Sequence, residues 1–450
     1  MKKVCVVGMG PAGIGAAYAL AQSRLATYTV CIDAGVEAEK KRCQILEKGS
    51  CRFEEPCHMI SGIGGASSSA SGKISGYPAG SGIGAILRSK KMAKDKLEEA
   101  LTLLEGFLPL NKPTTQFETV LAEKEFKKLG FIYRYYPVYT FRQEHLAESY
   151  TKMLADAKSK GVLIRLNSRV TDITLHNGLY RLTLTQNHRK VVIDTEYLIL
   201  AVGYMGQDLV KLVHDKFSLG SGKYHMDVGV RLEFPAELYP EIDRCHKDLK
   251  LLFDNARTFC VCKNGKIASY RYKELFFLDG FLDPRYKTGF TNLAIIVRLS
   301  PSHRNKELFE NIRNRILSLS KGKPIRQTLT DYLKVPKTCD HPGQDYPCDM
   351  HFWQWGNINE CFPQSISSRI RKAVDYFATK ILPKDQWDKV SVFAPQIDCR
   401  LMFPLKDDFS LKKRLYMAGD CTGRFRGILQ AFCSGIICAQ NIIGDCRENT

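Results

Sequence analysis

Six residues near the amino terminus, Gly8-Met9-Gly10-Pro11-Ala12-Gly13, have the spacing GxGxxG, and an acid, Asp33, stands about 20 residues further on. The chemistry this combination serves is capture of a pyrophosphate. Gly8 permits a tight turn, Gly10 lets the backbone approach the phosphates, and Gly13 lets the following helix pack closely on its strand. A helix starting at Pro11 and Ala12 presents N–H groups and a partial positive charge to those phosphates. Asp33 is placed to accept hydrogen bonds from the ribose hydroxyls. The context agrees: residues 4–7 are continuously apolar, residues 11–22 are small and helix-compatible, and residues 28–32 are a second apolar run. Strand, turn, helix, strand and acid together predict dinucleotide binding.

At the far end of the chain, Leu415-Tyr416-Met417-Ala418-Gly419-Asp420 is an apolar strand ending in Gly-Asp, and a small-residue helix follows from Gly427-Ile428. This resembles the second FAD signature of the glutathione reductase-like flavoprotein superfamily. The resemblance implies that Asp420, after Gly419, holds a ribityl hydroxyl. It also implies that the helix start at Gly427 and Ile428 aims its amides at the flavin pyrimidine edge, where they would stabilise an anionic reduced ring. Ile199-Leu200-Ala201-Val202-Gly203 is similar to the superfamily's middle Ala-Thr-Gly element through Ala201 and Gly203, with Val202 in place of the hydroxyl-bearing residue. Val170 falls where such proteins clasp the adenine through main-chain groups. No second GxGxxG with strand context occurs, so a built-in pyridine-nucleotide domain is not expected. FAD is the expected cofactor, with external NAD(P)H as a candidate electron partner.

A tighter resemblance lies between these ends. Arg42-Cys43, Cys51, Pro56-Cys57 and the run Gly62-Ile63-Gly64-Gly65-Ala66-Ser67-Ser68-Ser69-Ala70-Ser71-Gly72-Lys73 resemble a family of FAD-dependent dehydrogenases. That family carries an Arg-Cys, spaced cysteines and a Gly-Gly-Ala-Gly-Ala-Phe-Ser-Asp-Gly-Lys run. Further pieces similar to it are Asp227-Val228-Gly229-Val230-Arg231-Leu232-Glu233, Arg257-Thr258-Phe259-Cys260-Val261-Cys262 and Lys287-Thr288-Gly289-Phe290-Thr291-Asn292, so the likeness covers most of the chain. The departures, Ser67 to Ser71, remove an aromatic and an acid near the expected flavin.

Within these pieces, Gly64 and Gly65 suit a loop lying against a flavin, and Arg42 is grouped with them as cofactor-binding. Lys73 could sit near an electron-accepting ring or an anionic substrate. Arg231, Arg257 and Lys287 are further candidates for gripping an anion, and His58 is a candidate acid or base. An ordinary ion pair or packing role stands beside each of these readings. Cys260-x-Cys262 is too close for a zinc knuckle and no CxxC occurs. Packing thiols are expected there, with a thiol relay to the flavin as the alternative, and no metal is expected. Trp353-Gln354-Trp355-Gly356-Asn357-Ile358 invites comparison with the Trp-x-Trp-x-Ile-Pro motif of flavin halogenases. Ile358 is one residue too far on and no Pro follows, so an aromatic wall or core is expected instead.

The elements that must position these residues suit a chain of 450 residues with two or three lobes. Hydrophobic residues at 44% and charged residues at 25% describe a globular protein. The formal net charge of +19 would attract nucleic acid or acidic small molecules. Its clusters (Lys40-Lys41-Arg42, Arg88-Ser89-Lys90-Lys91, and Lys124, Lys127 and Lys128) lack interleaved aromatics, which predicts a solvated basic surface. No apolar run reaches the ~18 residues of a membrane span, and no leader-like stretch precedes the first strand. A cytoplasmic address, no membrane partner, and reduced thiols are therefore expected.

Helices are predicted at 90–107, 117–129, 142–160, 308–319 and 365–381, and a hairpin turns at Asn177-Gly178. Residues 35–85 read as a long functional loop. The expected fold class is α/β, a Rossmann-type (glutathione reductase-like) FAD-binding domain with an inserted mixed α+β substrate domain. The FAD-binding parts are 1–90, 151–220 and 396–450, with a helical insertion at 91–150 and a substrate or cap domain at 221–395. The expected function is an FAD-dependent oxidoreductase moving a hydride between flavin N5 and a small, anionic organic substrate, with an external electron donor or acceptor. The rivals are a flavoenzyme acting on RNA, an FAD-dependent monooxygenase, and a non-catalytic FAD-binding protein.

Overall fold

A computed structural model describes residues 2–43, 45, 49–68, 72–186, 189–220, 222–238, 246–282, 287–334 and 347–448. In the first sheet, strands Leu415–Met417, Arg189–Leu200, Lys2–Val7, Thr29–Ile32 and Leu163–Arg165 lie side by side in that order, all parallel. The hairpin Ser168–His176 and Leu179–Gln186 adds to the long strand Arg189–Leu200 in antiparallel register. Because parallel strands are covered on both faces, alternate residues of Lys2–Val7 enter different cores. Val4 and Val6 meet the helices Pro11–Ala21 and Ile428–Glu448, whereas Cys5 and Val7 meet the hairpin and the helix Gln207–Phe217.

The helix Ile428–Glu448 is long and apolar enough in composition to cross a membrane, so the expectation that no segment qualifies is corrected. Its apolar residues have another use: Ile428, Leu429, Phe432, Cys438, Ala439 and Ile442 are all buried in the first core.

The second sheet runs in the order Gln354–Trp355, Ile325–Thr328, Ser391–Met402, Lys223–Pro235, Phe290–Ser302, Ala256–Cys262, Leu251–Phe253 and Ile132–Tyr133. Its three long central strands are antiparallel. Side chains alternate across a strand, and here the alternation separates oil from charge. Met226, Val228, Val230, Leu232 and Phe234 join Leu293, Ile295, Val297, Val392 and Ile397 in one apolar core, against the helices Arg304–Ser320 and Gln364–Ile381. The opposite face carries Asp227, Arg231, Glu233, Asn292, Gln396, Asp398 and Arg400, and all of these are buried as well. The hairpin Lys266–Tyr272 and Leu275–Phe281 packs over this second face, with Ile267 and Leu278 against Phe393.

Several boundaries differ from the sequence reading. A break at 395/396 falls inside the strand Ser391–Met402, which pairs with Lys223–Pro235 out to Lys223 and Met402, so the chain returns to the first sheet only at Ser410–Lys412. Ile132–Tyr133, within the stretch read as helical insertion, pairs with Leu251–Phe253 at the edge of the second sheet. Residues 256–281, for which the sequence predicts no element, are strand and hairpin; left-handed residues at Cys260, Asn264 and Lys273 interrupt the alternation that would announce them. Residues 35–85 are not all loop, since Lys73–Ser75 is a strand and Gly82–Leu87 a helix.

Candidate cofactor and substrate site

The glycine turn is built by contact. Gly8 has φ +100° and a Cβ there would lie 2.3 Å from the Ala201 carbonyl oxygen, while a Cβ on Gly13 would lie 1.8 Å from the Gly8 carbonyl oxygen. Nothing lies within 4 Å of the corresponding point on Gly10, so the second glycine opens onto free space. The helix Pro11–Ala21 begins there with Pro at its start and no side-chain cap. Its first-turn amides therefore remain for a ligand. That is a cradle of the kind a pyrophosphate fills.

Asp33 sits at the centre of this arrangement in an unexpected way. Its Oδ2 accepts from the Met9 amide at 2.7 Å, and its Oδ1 accepts from the amides of Gly35 at 2.7 Å and Gly62 at 2.8 Å. Three of its roughly four acceptor sites are thus used by the chain itself. Asp33 thus ties three loops together, and its carboxylate keeps room for one further hydrogen bond of the kind a ribose would make. The Gly64 amide donates to the Met9 carbonyl at 2.8 Å, and a Cβ on Gly65 would stand 3.2 Å from Gly10 Cα, so the glycine–serine loop lies against the turn.

Lys41 completes this corner. Its ammonium donates to the Gly65 carbonyl at 2.8 Å and to Ser68 Oγ at 2.6 Å. Burial pulls it down to about 7, although Asp33 and Cys57 favour the charged form. Lys41, expected within a solvated basic cluster, stands instead at this corner, and its place a few residues beyond Asp33 is the signal the sequence carries for it. Arg42, the residue expected to bind the cofactor, is exposed and donates to the carbonyls of Glu39 at 2.8 Å and Lys41 at 2.7 Å. Alternate residues leave the chain on opposite sides here, and Arg42 turns away. His58 accepts from the Arg42 amide at 3.4 Å and lies 3.5 Å from Glu54, among its own loop's groups rather than beside Lys73 and Arg231.

The strand bearing Val170 starts at this corner, since the amides of Ser168 and Asn167 donate to the carbonyls of Asp33 and Gly35, each at 2.9 Å. Val170 itself is buried. The carboxy-terminal corner closes on the same turn. The Ala418 amide donates to Leu200, the Ala201 amide to Val7, and a Cβ on Gly419 would lie 2.8 Å from Ala12 Cβ. Gly203 has φ +61° and opens onto free space. Asp420 is ion-paired with Arg400, which also binds Asp398 and covers the Tyr204 ring at 4.9 Å. The carboxylate expected to hold a ribityl hydroxyl thus also faces a cation from the second sheet, and its buried Oδ1 makes no hydrogen bond among the described residues. Gly427, at φ +107°, leads into the helix that starts with Ile428. Near it Gln430 donates to the carbonyls of Ser75 at 2.9 Å and Ala79 at 3.1 Å, while its buried Oε1 has no hydrogen-bond partner among the described residues.

The charged sheet face meets this corner. Arg426, the residue before Gly427, pairs with Asp398 and lies 4.3 Å over the Phe259 ring. Arg231 is fully buried: Nε donates to Gln396 at 3.0 Å, and Nη1 to Asn292 at 2.7 Å and the Cys260 carbonyl at 3.3 Å. Its Nη2 makes no hydrogen bond among the described residues and stands 3.7 Å from Asp279. Lys73 crosses from the first lobe, donating to the Val261 carbonyl at 2.6 Å and lying 3.4 Å from Asp248. Burial disfavours its charge, but Asp248 and the thiols of Cys260 and Cys262 hold it well above the ordinary lysine range.

Other members are structural. Arg257 and Arg298 bind Asp227 at 2.6 and 3.0 Å, and with His225 they hold that carboxyl far below its usual range against burial. Arg257 is thus a partner of Asp227 rather than a free anion grip. Arg326 lies between Trp353 at 4.6 Å and Trp355 at 4.7 Å, so the tryptophan pair is a wall around a buried guanidinium. Glu233 is buried with Oε1 unpartnered among the described residues, and burial, with Asp349 nearby, pushes its carboxyl up to about 8. In the sequence Glu233 stands only as the last residue of the Asp227–Glu233 motif. Lys287 is exposed, beside a turn that Thr288 ties to Asn264, and does not join Arg231.

No protein-family model and no curated protein matches the sequence. Solved structures do match over nearly the whole chain. Aklavinone-11 hydroxylase, solved with FAD and aklavinone, matches 99% of this chain and 62% of its own at 12% identity and a TM-score of 0.42, so this chain spans less than two thirds of that protein. A geranylgeranyl bacteriochlorophyll reductase-like protein from Thermoplasma acidophilum matches 99% and 79% at 13% identity and a TM-score of 0.42. p-Nitrophenol 4-monooxygenase from Pseudomonas putida matches 100% of this chain and 81% of its own, at 12% identity and a TM-score of 0.41.

Proposed function

We propose that this protein is an FAD-dependent oxidoreductase whose substrate is a small anionic organic molecule bound between the flavin and the charged face of the second sheet. One observation carries the reading. The open space at Gly10 and the Gly419–Gly427 corner meet at Ala12, and the same corner touches the buried charged face through Arg400–Asp420 and Arg426–Asp398. A sheet face with this many buried ionic groups is costly unless it serves a polar ligand or a closed ion-pair network. Arg231 Nη2 and Gln430 Oε1, buried without hydrogen bonds among the described residues, are groups that a cofactor or substrate would satisfy.

A bound flavin supplies hydride exchange at its N5 atom. The chain's part is to bind and orient. The amides after Gly10 take the pyrophosphate, with Lys41 adding charge beside them. The start of the helix Ile428–Glu448 supplies a fixed positive end for the reduced ring. Arg231, rigid in its network, offers Nη2 to a substrate carboxylate or phenolate. Lys73 is tied to backbone and Asp248, so its task is to set positive potential rather than to move a proton.

Purified protein tests this directly. The expected result is a yellow protein with bound FAD, perturbed by titration with a panel of small carboxylates, and with that perturbation weakened at least tenfold in Arg231→Met while flavin is retained. A colourless protein that takes up no flavin on reconstitution overturns the reading. Anaerobic reduction followed by candidate acceptors or oxygen then separates a dehydrogenase from a monooxygenase, and photoreduction without any turnover would mark a binding protein. Steeply salt-dependent RNA binding would favour a nucleic-acid substrate.

A further inference from the structure

Beside Arg231 the sheet face carries two thiols that hydride transfer does not require. Cys260 and Cys262 end the strand Ala256–Cys262, where the register with Phe290–Ser302 shifts between Phe259 and Cys262 and Cys260 takes a left-handed φ of +49°. That conformation is costly for a residue with a Cβ, and here it brings two neighbouring side chains to one point. A Cβ on Gly280 of the covering hairpin would lie 2.7 Å from Cys262 Sγ and 2.8 Å from Cys260 Sγ. Both sulfurs therefore occupy the room that Gly280 leaves.

Cations bracket the pair. Lys73 donates to the carbonyl of Val261, the residue between the two cysteines, at 2.6 Å, and Arg231 donates to the Cys260 carbonyl at 3.3 Å. The nearby Cys260 side chain is the main influence that brings the Cys262 thiol down to about 7, against burial and helped by Lys73 and Arg231; Cys260 is raised. One thiolate next to one thiol, near fixed positive charge, is the condition for thiol redox chemistry.

We propose that Cys260 and Cys262 form a reversible dithiol/disulfide couple on the substrate side of the flavin, with Lys73 as its positioning cation. The electron partner rests on the flavin reading above. On oxidation the bond formed is Sγ–Sγ; the Cys262 thiolate and the Cys260 thiol together release one proton and two electrons, and the electrons pass to the oxidised flavin. In the reverse direction two electrons from the reduced flavin and one proton open the S–S bond.

Cleavage after Arg257 and Lys263 places both cysteines in one tryptic peptide, residues 258–263. Flavin-loaded protein equilibrated anaerobically in a series of dithiothreitol redox buffers, then alkylated and digested, should show this peptide passing from doubly alkylated to unalkylated and two hydrogens lighter than the dithiol. Reductive titration of the same protein should take up two more electrons per flavin than Cys260→Ser. Lys73→Met, or Lys73→Gln if the first does not fold, should raise the disulfide fraction in a given buffer, since removing the cation destabilises the thiolate and hence the reduced form. A peptide that stays doubly alkylated in every buffer, or equal electron uptake by wild type and Cys260→Ser, overturns the couple while leaving a yellow protein yellow. A colourless protein whose peptide still cycles overturns the flavin reading and the direction of electron flow, and leaves the thiol pair standing.

Discussion

Gly435 and Ala12, from opposite ends of the chain, meet backbone to backbone: a Cβ on Gly435 would stand 1.9 Å from the Ala12 carbonyl oxygen. At the same crossing a Cβ on Gly15 would stand 2.4 Å from the Phe432 carbonyl oxygen. The helix Ile428–Glu448 can reach the glycine turn only because these positions have no side chain.

Gly435→Val should force the two helices apart and withdraw Gly419 from Ala12. Overpacking of this kind costs about 1–3 kcal/mol or more, and the expected result is a lowered melting temperature together with lost flavin, read by absorbance after gel filtration. Gly444→Ala is the control on the same helix, since nothing lies within 4 Å of its Cβ position. It should be neutral or stabilising by about 1 kcal/mol, and a flavin loss there would show that helix content rather than the crossing matters.

Asp33→Asn should damage more than a ribose contact would. The carboxylate accepts from three amides, and an amide NH2 group turned to any of them sets donor against donor. With charged hydrogen bonds at about 1.5–3 kcal/mol each, a destabilisation near 3 kcal/mol is expected in the protein without flavin. Denaturant melts of apoprotein check this; unchanged apoprotein stability with weakened flavin binding would leave Asp33 to the ribose alone.

Lys41 makes cofactor binding a proton-linked event. With its ammonium held down to about 7 by burial, the group is largely neutral at pH values above that, and a pyrophosphate placed beside Gly65 would raise it again. FAD binding at about pH 8 should therefore take up a proton, detected as a buffer-dependent calorimetric enthalpy. Lys41→Met should remove that dependence. The linkage has a fixed sign: in the absence of ligand the folded state binds fewer protons than the unfolded chain between about 7 and the ordinary lysine value, so Lys41 favours the folded apoprotein increasingly as pH rises through that window.

Glu233 runs the other way. Its carboxyl is raised to about 8, so the folded protein holds a proton that the unfolded chain has released above the usual carboxylate range. Stability from this group is present at low pH and falls between about pH 4.5 and 8. Glu233→Gln keeps the neutral form and should raise the melting temperature at about pH 9 while leaving it little changed near pH 5. Equal effects at both pH values would show that Glu233 is not protonated in the fold.

Two features could be read from residue order because their physical cause is local. The glycine turn needs particular φ values and a helix start next to a strand, and Gly8, Gly10, Gly13 and Pro11 state that within six positions. The helices at 90–105, 143–159 and 364–381 follow from apolar spacing and stop near the predicted ends. What only the tertiary structure decided is which charged groups meet. Asp33 and Asp420 carry the residue types their motifs require, and one also meets three amides and the other Arg400, from a strand whose pairing is set far away in the chain. The same holds for the charged sheet face. Alternation along 223–235 separates the two sets of side chains, but burial of both faces depends on the hairpin 266–281, and its turns at left-handed residues leave no periodic trace. Hydrogen bonding and burial between segments distant in sequence are properties of packing, and no local pattern encodes them.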